Sequence, residues 1–199
     1  SFKSVNLGKD YDELNLRSLI EDNNGAIWAC GKPGVFRIIG DSVTHFGSED
    51  GIEGDGVWNL VLGKNGKPIA ITRDAIFEFN GVNFSQLNLV GEEYDPRYWN
   101  MFSDSRGNYW FSIVEDGMET IGIFNGDQFL TIIENQSLWG RGFEDRSGKI
   151  WLPTEESLFV YDGEKSVEYA YEELGIDGTF TLTEDQFGNL WGGSSSGLF

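Results

Sequence analysis

The chain is short of most residues that carry out chemistry. Of its 199 residues one is cysteine and one is histidine. A lone Cys30 excludes an intrachain disulfide and a thiolate zinc cluster. A lone His45 leaves little room for histidine-based catalysis or metal binding. Five alanines count against a helical protein. Positive charge is scarce, with 14 Lys and Arg against 33 Asp and Glu and a net charge of −19. Such a surface repels phosphate, so nucleic acid is not an expected partner. Apolar runs reach only a handful of residues, so nothing in the sequence reads as a membrane span. No signal peptide is recognisable, as expected of a mature or trimmed product or of a cytoplasmic protein. G-x-S-x-G, P-loop, H-E-x-x-H and EF-hand patterns are all missing. What the chain has is glycine and rings: 27 Gly, 7 Trp, 7 Tyr and 15 Phe. That is enough aromatic surface for the core of one domain spanning 1–199.

The glycines and rings recur in phase. EDNNGAIW at 21–28, SDSRGNYW at 103–110, EDRSGKIW at 144–151 and EDQFGNLW at 184–191 share one pattern, and LGKNGKPI at 62–69 is a degenerate copy. Gly25, Gly66, Gly107, Gly148 and Gly188 are therefore spaced by 41, 41, 41 and 40 residues. Phe36, Phe77, Phe159 and Phe199 keep the same phase, as do Gly40, Gly81 and Gly163. The third repeat slips by four residues to Gly122 and Gly126, and the extra residues at Glu115–Glu119 are expected in a loop.

Each repeat reads as four strands. Leu16, Ser18 and Ile20, or Val57, Asn59 and Val61, alternate with a second partly apolar set, as in a sheet covered on both faces. Asp-x-x-Gly between the first two strands is a hairpin turn, with the carboxylate accepting backbone N–H groups and glycine taking positive φ. A third strand follows at Val35-Phe36 or Leu158-Phe159, and a fourth at Ser42–Phe46 or Ser166–Tyr171. Four strands in about 40 residues, repeated, specify a β-propeller. The expectation is an all-β, five-bladed β-propeller of four-stranded antiparallel blades. Phe2–Leu7 matches a fourth strand, so it is expected to pair with the strand ending at Phe199 and close the ring.

The pattern I-x-E-D-x-x-G-x-I-W, then G-L-F-x-Y-D-G, resembles the two-component regulator propeller repeat. It is best kept in Ile20-Glu21-Asp22, Gly25 and Ile27-Trp28, in Phe143-Glu144-Asp145, Gly148 and Ile150-Trp151, and in Leu158–Gly163. The resemblance covers the whole chain. It implies the periplasmic or extracellular sensor part of a bacterial hybrid two-component system, binding a small-molecule or oligosaccharide ligand, without a cofactor. Related repeats occur in streptogramin lyases. The family's sensors carry more blades than five, and this chain includes no kinase segment.

Individual residues sharpen the expectation. Trp28, Trp110, Trp151 and Trp191 share one repeat position, which assigns them to packing between blades rather than to sugar platforms. Asp22, Asp104, Asp145 and Asp185 are turn residues rather than calcium ligands or acids. Trp58, Trp99 and Trp139 differ, because they sit near the start of the innermost strand in three consecutive repeats only. Arg17, Gly140 and Phe180 occupy neighbouring equivalents, and Arg97, Tyr98 and Arg141 lie beside them. Aromatic faces with arginine forks at a channel mouth suit a sugar, an acidic sugar or a peptide. Ordinary packing between blades is the competing explanation. The candidate ligand contacts are thus Trp58, Trp99, Trp139, Arg17, Arg97, Tyr98 and Arg141, with no catalytic or metal-ligating residue. Acidic loops (Glu49, Asp50, Glu53 and Asp55; Glu92, Glu93 and Asp95; Glu172, Glu173 and Asp177; Glu115, Asp116 and Glu119; Glu155 and Glu156) are expected at one end, for solubility or for a basic partner. His45, on an outer strand, is ill placed as a lyase base. Asp55, Asp95 and Asp177 are conceivable glycosidase carboxylates, but they recur at equivalent connections. A ligand-binding sensor is the first expectation, a stand-alone lectin or protein-interaction propeller the second, and a glycoside hydrolase or streptogramin-lyase-like enzyme the third.

Overall fold

The computed structural model describes residues 4–7, 14–91 and 94–199. The chain forms an all-β propeller fold of four-stranded antiparallel blades, in two compact units, Ser1–Asn88 and Leu89–Phe199.

The first unit holds two blades. One is the meander β1 (Ser18–Glu21), β2 (Ile27–Gly31), β3 (Gly34–Ile39) and β4 (Ser42–Phe46). The next is β5 (Asn59–Leu62), β6 (Pro68–Ile71), β7 (Ile76–Phe79) and β8 (Phe84–Leu87), reached through a short 3-10 turn at Ser48–Asp50. The middle strands β2, β6 and β7 are buried on both faces, whereas β4 exposes alternate residues and β8 exposes Ser85 and Gln86. A strand flanked by others and covered above and below loses all contact with water, which is why both residue sets are apolar there. The core between these blades is aromatic. Trp28 lies 4.9 Å from Phe79, 5.9 Å from Phe46 and 6.3 Å from Phe84 between ring centroids.

The second unit holds two complete blades and a smaller sheet. β9 (Asp95–Ser103), β10 (Tyr109–Glu115), β11 (Met118–Phe124) and β12 (Phe129–Glu134) form the first. β13 (Phe143–Glu144), β14 (Ile150–Pro153), β15 (Ser157–Tyr161) and β16 (Ser166–Ala170) form the second. β17 (Thr181–Glu184) pairs with β18 (Leu190–Gly193), and a bridge from Gly193 to Leu198, with two backbone bonds between Gly192 and Phe199, begins a third strand there. Phe102, Trp110, Ile121, Ile150, Leu152 and Phe159 make the core of this unit. Gly142 is needed where the chain enters β13: a Cβ there would stand 2.0 Å from the Phe102 ring.

Two expectations are corrected and a third finds no support. The extra residues of the third repeat do not form a loop. They lengthen β10 and β11 to seven residues each, joined at Asp116-Gly117, whose φ angles of 50° and 79° are those of a tight hairpin turn. The strand expected from Ser166 ends at Ala170, and Tyr171–Leu174 is a short helix, α1, closed by Gly175 at φ 69°. Ring closure by Phe2–Leu7 finds no support among the described residues, since 4–7 belong to no strand and Phe2 and Lys3 lie outside them. Glu92 and Glu93 of the acidic loops also lie outside the described residues.

Candidate functional site

The repeated turn joins the first two strands of each blade. In every repeat the glycine sits at φ between 73° and 86°, and its N–H donates to the residue three before it. The aspartate then does two jobs. Asp22 Oδ1 accepts the N–H groups of Asn24 and Ala26, while Oδ2 accepts the Trp28 indole N–H at 2.8 Å. The same indole bond recurs from Trp110 to Asp104 (3.0 Å), from Trp151 to Asp145 (2.8 Å) and from Trp191 to Asp185 (3.1 Å). A carboxylate with four lone-pair sites can serve all of these donors together. Burial raises the Asp22 and Asp145 carboxyls, but the indole, side-chain and amide bonds outweigh it, so both lie below the ordinary 3.8. The second repeat lacks both partners at once. Gly63 and Ile69 replace Asp and Trp, yet the backbone turn is kept through Gly66 to Gly63. Where no indole needs an acceptor, no carboxylate is present.

The glutamate before the aspartate reaches the neighbouring blade. Glu144 accepts both the Ser105 N–H and, at 2.7 Å, its hydroxyl. Glu184 accepts the Arg146 N–H at 2.8 Å. Each ties a turn to the blade before it. The Glu-Asp pair was visible in the sequence, but its division of labour was not, because only packing shows which turn a glutamate faces.

Tryptophans at the repeated position are not uniformly core. Trp28 and Trp110 are 1 % exposed, Trp151 is half-buried and Trp191 is 47 % exposed. The expectation that all four fill the core therefore holds for two. Trp28 and Trp110 each lie against a ring of the next blade, Phe79 and Tyr161, both thirteen residues beyond a turn glycine. Among the described residues no such ring lies against Trp191.

The three unrepeated indoles are exposed: Trp58 46 %, Trp99 42 % and Trp139 53 %. Trp58 immediately precedes β5, Trp99 sits in the middle of β9, and Trp139 lies on the chain entering β13. The N–H of Trp58 donates to Ile71, that of Trp139 to Pro153, and that of Phe180 to Gly193, each acceptor five residues past a turn glycine (Gly66, Gly148 and Gly188). Phe180, which sequence reasoning left among the neighbouring equivalents, is thus a register equivalent and is itself exposed.

The arginines differ by unit. In the first, the Arg17 guanidinium lies 3.8 Å from the Trp58 ring centroid and covers it. Ser18 Oγ donates to Asn59 just beside them at 3.1 Å. In the second, Asp95 holds Arg97, which lies 6.0 Å from the Trp99 ring. Asp95, Arg97 and Trp99 lie close together on β9, where a bulge after Arg97 interrupts the pairing with β10. Asn100 donates to Leu138 at 2.8 Å, and the backbone at Gly140 abuts Phe180, so the chain at Trp99, Trp139 and Phe180 is tied blade to blade. Tyr98 is a correction: it is 5 % exposed, 5.1 Å from the Phe111 ring, with burial pushing its hydroxyl up to about 12. It packs inside the blade and presents no face. Arg141 is accessible to solvent, yet protein surrounds its guanidinium closely enough that desolvation lowers its pKa. It opens on a cavity of about 540 Å³ lined by β9, β13 and β17.

His45, Asp177 and Cys30 are engaged or buried. His45 Nε2 bonds the Pro33 carbonyl at 2.7 Å on the outer strand β4. The hydroxyls of Ser194, Ser195 and Ser196 hold Asp177 below its ordinary value. Cys30 is buried, which pushes its thiol up to about 12. Among the described residues no group of His, Cys, Asp and Glu could hold a metal ion. Nor is any helix among them long and apolar enough to cross a membrane.

Comparison with solved structures returns the same fold at low identity. The extracellular domain of a protein described as the hybrid two component system BT4673, from B. thetaiotaomicron, superposes with a TM-score of 0.72 at 14 % identity, over 92 % of this chain and 26 % of that one. PorZ, a surface component of the type-IX secretion system of Porphyromonas gingivalis, gives 0.70 at 15 %, over 100 % and 33 %. Virginiamycin B lyase from Staphylococcus aureus gives 0.66 at 13 %, over 94 % and 69 %. The chain spans about a quarter of the two-component protein's domain. No family model and no curated protein matches the chain.

Proposed function

We propose that this chain is a non-enzymatic, ligand-binding propeller of the sensor type, acting outside the cytoplasm, with an oligosaccharide-like ligand. The observation that carries the reading is the exposure of Trp58, Trp99 and Trp139, on or just ahead of the first strands of three blades. A core ring is repeated and buried; these are neither, and an uncovered ring offers a face on which a sugar can stack. The second unit is the better platform. Trp58 already has Arg17 on its face, whereas no ring or cation of the described residues lies on Trp139. Arg97 and Arg141 supply forks beside the platform, and Tyr98 stiffens β9 beneath it. The five repeats are read as blades of one propeller domain over 1–199, supported by their spacing of 40–41 residues. The likeness to the extracellular domain of a two-component protein supports the sensor role and the location. Against catalysis, Asp95 is paired with Arg97, and Asp177 is held ionised by serine hydroxyls, the reverse of what a general acid needs.

Tryptophan fluorescence against a panel of neutral and acidic oligosaccharides tests this. Binding should quench the emission, and Trp139→Ala should weaken it about three- to tenfold, the range of an aromatic contact. Silence across the panel would discard the saccharide reading in favour of a protein-interaction module.

A further inference from the structure

The cavity in the second unit is formed by the first strands of three successive blades and contains one cation and two carboxylates. Both carboxylates are engaged. Asp104 accepts the Arg106 and Asn108 N–H groups, the Asn108 amide and the Trp110 indole. Glu144 is taken up by Ser105. Arg141 is different. Its backbone N–H donates to Phe180, but no carboxylate of the described residues pairs with its guanidinium. A guanidinium stays charged at any working pH and carries five donors in a fixed fork. The Arg141 fork stands open to solvent on the wall of this cavity with no carboxylate on it, so an arriving anion can reach its N–H groups. The hydroxyl residues Ser103, Thr181 and Thr183 line the same cavity, and Thr181 and Thr183 lie on the exposed face of β17. Trp139, two residues from Arg141, offers an uncovered ring.

We propose that Arg141 is the receptor of a carboxylate on the ligand, so that this cavity selects an acidic saccharide over its neutral counterpart. The proposal rests on the saccharide reading above and names its ligand class. A carboxylate accepts two parallel N–H bonds from the fork, the neighbouring hydroxyls meet the hydroxyls of the sugar, and Trp139 takes its apolar face. The chain's net charge of −19 opposes an anion at long range. At physiological salt that field is screened beyond about 8 Å, so the balance is local: the two-pronged contact at Arg141 has to outweigh the Asp104 and Glu144 carboxylates of the same cavity.

The test uses the chain as it stands with digalacturonate, its methyl ester and benzoate, reading tryptophan emission and the Arg141 Nε–Hε resonance. Digalacturonate should quench emission and shift the Arg141 resonance. The ester, equal in shape but uncharged, should bind about tenfold or more weakly, the scale of a lost charged fork. Arg141→Gln should bring the acid down to the ester's affinity and leave the ester unchanged. A thermal melt checks its fold, and Arg141→Lys, keeping charge without the fork, should lose affinity in part. Equal binding of acid and ester with a still Arg141 signal overturns the proposal and leaves the saccharide reading standing. A shift with benzoate and none with either saccharide upholds the anion site and overturns the saccharide reading. No response to any of the three overturns both.

Discussion

Trp28 of the first blade and Trp191 of the last sheet obey the same local rule and meet opposite fates. Each follows an Asp-x-x-Gly turn, and each donates its indole N–H to the turn aspartate. Trp28 is enclosed by Phe46, Phe79 and Phe84, while Trp191 stays nearly half exposed. The motif therefore sets where the ring points, and the following blade decides whether it becomes core. The second repeat completes the lesson: without Asp and Trp its turn still closes, so the pair is not what makes the hairpin. It is what lets a ring with a polar edge enter an apolar interior, since a buried N–H needs an acceptor.

The strongest way to break this comparison is to truncate a covered ring. Trp110→Ala, which also removes the contacts with Phe102 and Tyr161, should destabilise the protein by about 3–5 kcal/mol in a urea titration. A loss no greater than that of an exposed ring would show that cover from the next blade is not the deciding factor.

A smaller effect sharpens the role of the acceptor. Asp22→Ala leaves the Trp28 indole and two amides without a partner and should cost about 1–3 kcal/mol. Because the folded Asp22 and Asp145 lie below 3.8, their contribution is fully present above that value and is lost as pH falls through the folded pKa. Thermal melts should thus decline with acid below about pH 4, starting from the ordinary aspartate value. The double variant Asp22→Asn with Asp145→Asn, which keeps an acceptor but cannot titrate, should flatten that decline. An unchanged slope would place the acid sensitivity elsewhere.

The smallest effect is expected at the uncovered end. Trp191→Ala should change stability by less than about 1 kcal/mol, the range of surface substitutions. A loss matching that of Trp110→Ala would mean the ring is covered in solution.

Much of this was legible before any coordinates. Five turn glycines in phase, apolar residues on both faces of the middle strands, and the Asp-x-x-Gly hairpins all follow from local chemistry. Sequence reasoning also singled out Trp58, Trp99 and Trp139 from their failure to repeat, and all three are exposed. It misjudged Tyr98, because along one strand adjacent residues face opposite ways and phase alone does not say which way is in. The helix α1 was hidden for a related reason: Tyr171 continues the strand's alternation but is buried, and Gly175 turns the chain.

What the sequence determined by itself is the repeated unit, since turns, strand alternation and the Asp–Trp bond all lie within about 40 residues of one another. What only tertiary structure decided is the fate of identical residues in different repeats. Whether Trp28 or Trp191 is core, which turn Glu144 grips, and why Arg141 is left without a counterion depend on the neighbouring blade. Burial and charge pairing are properties of what lies across a gap, and a local pattern does not contain them.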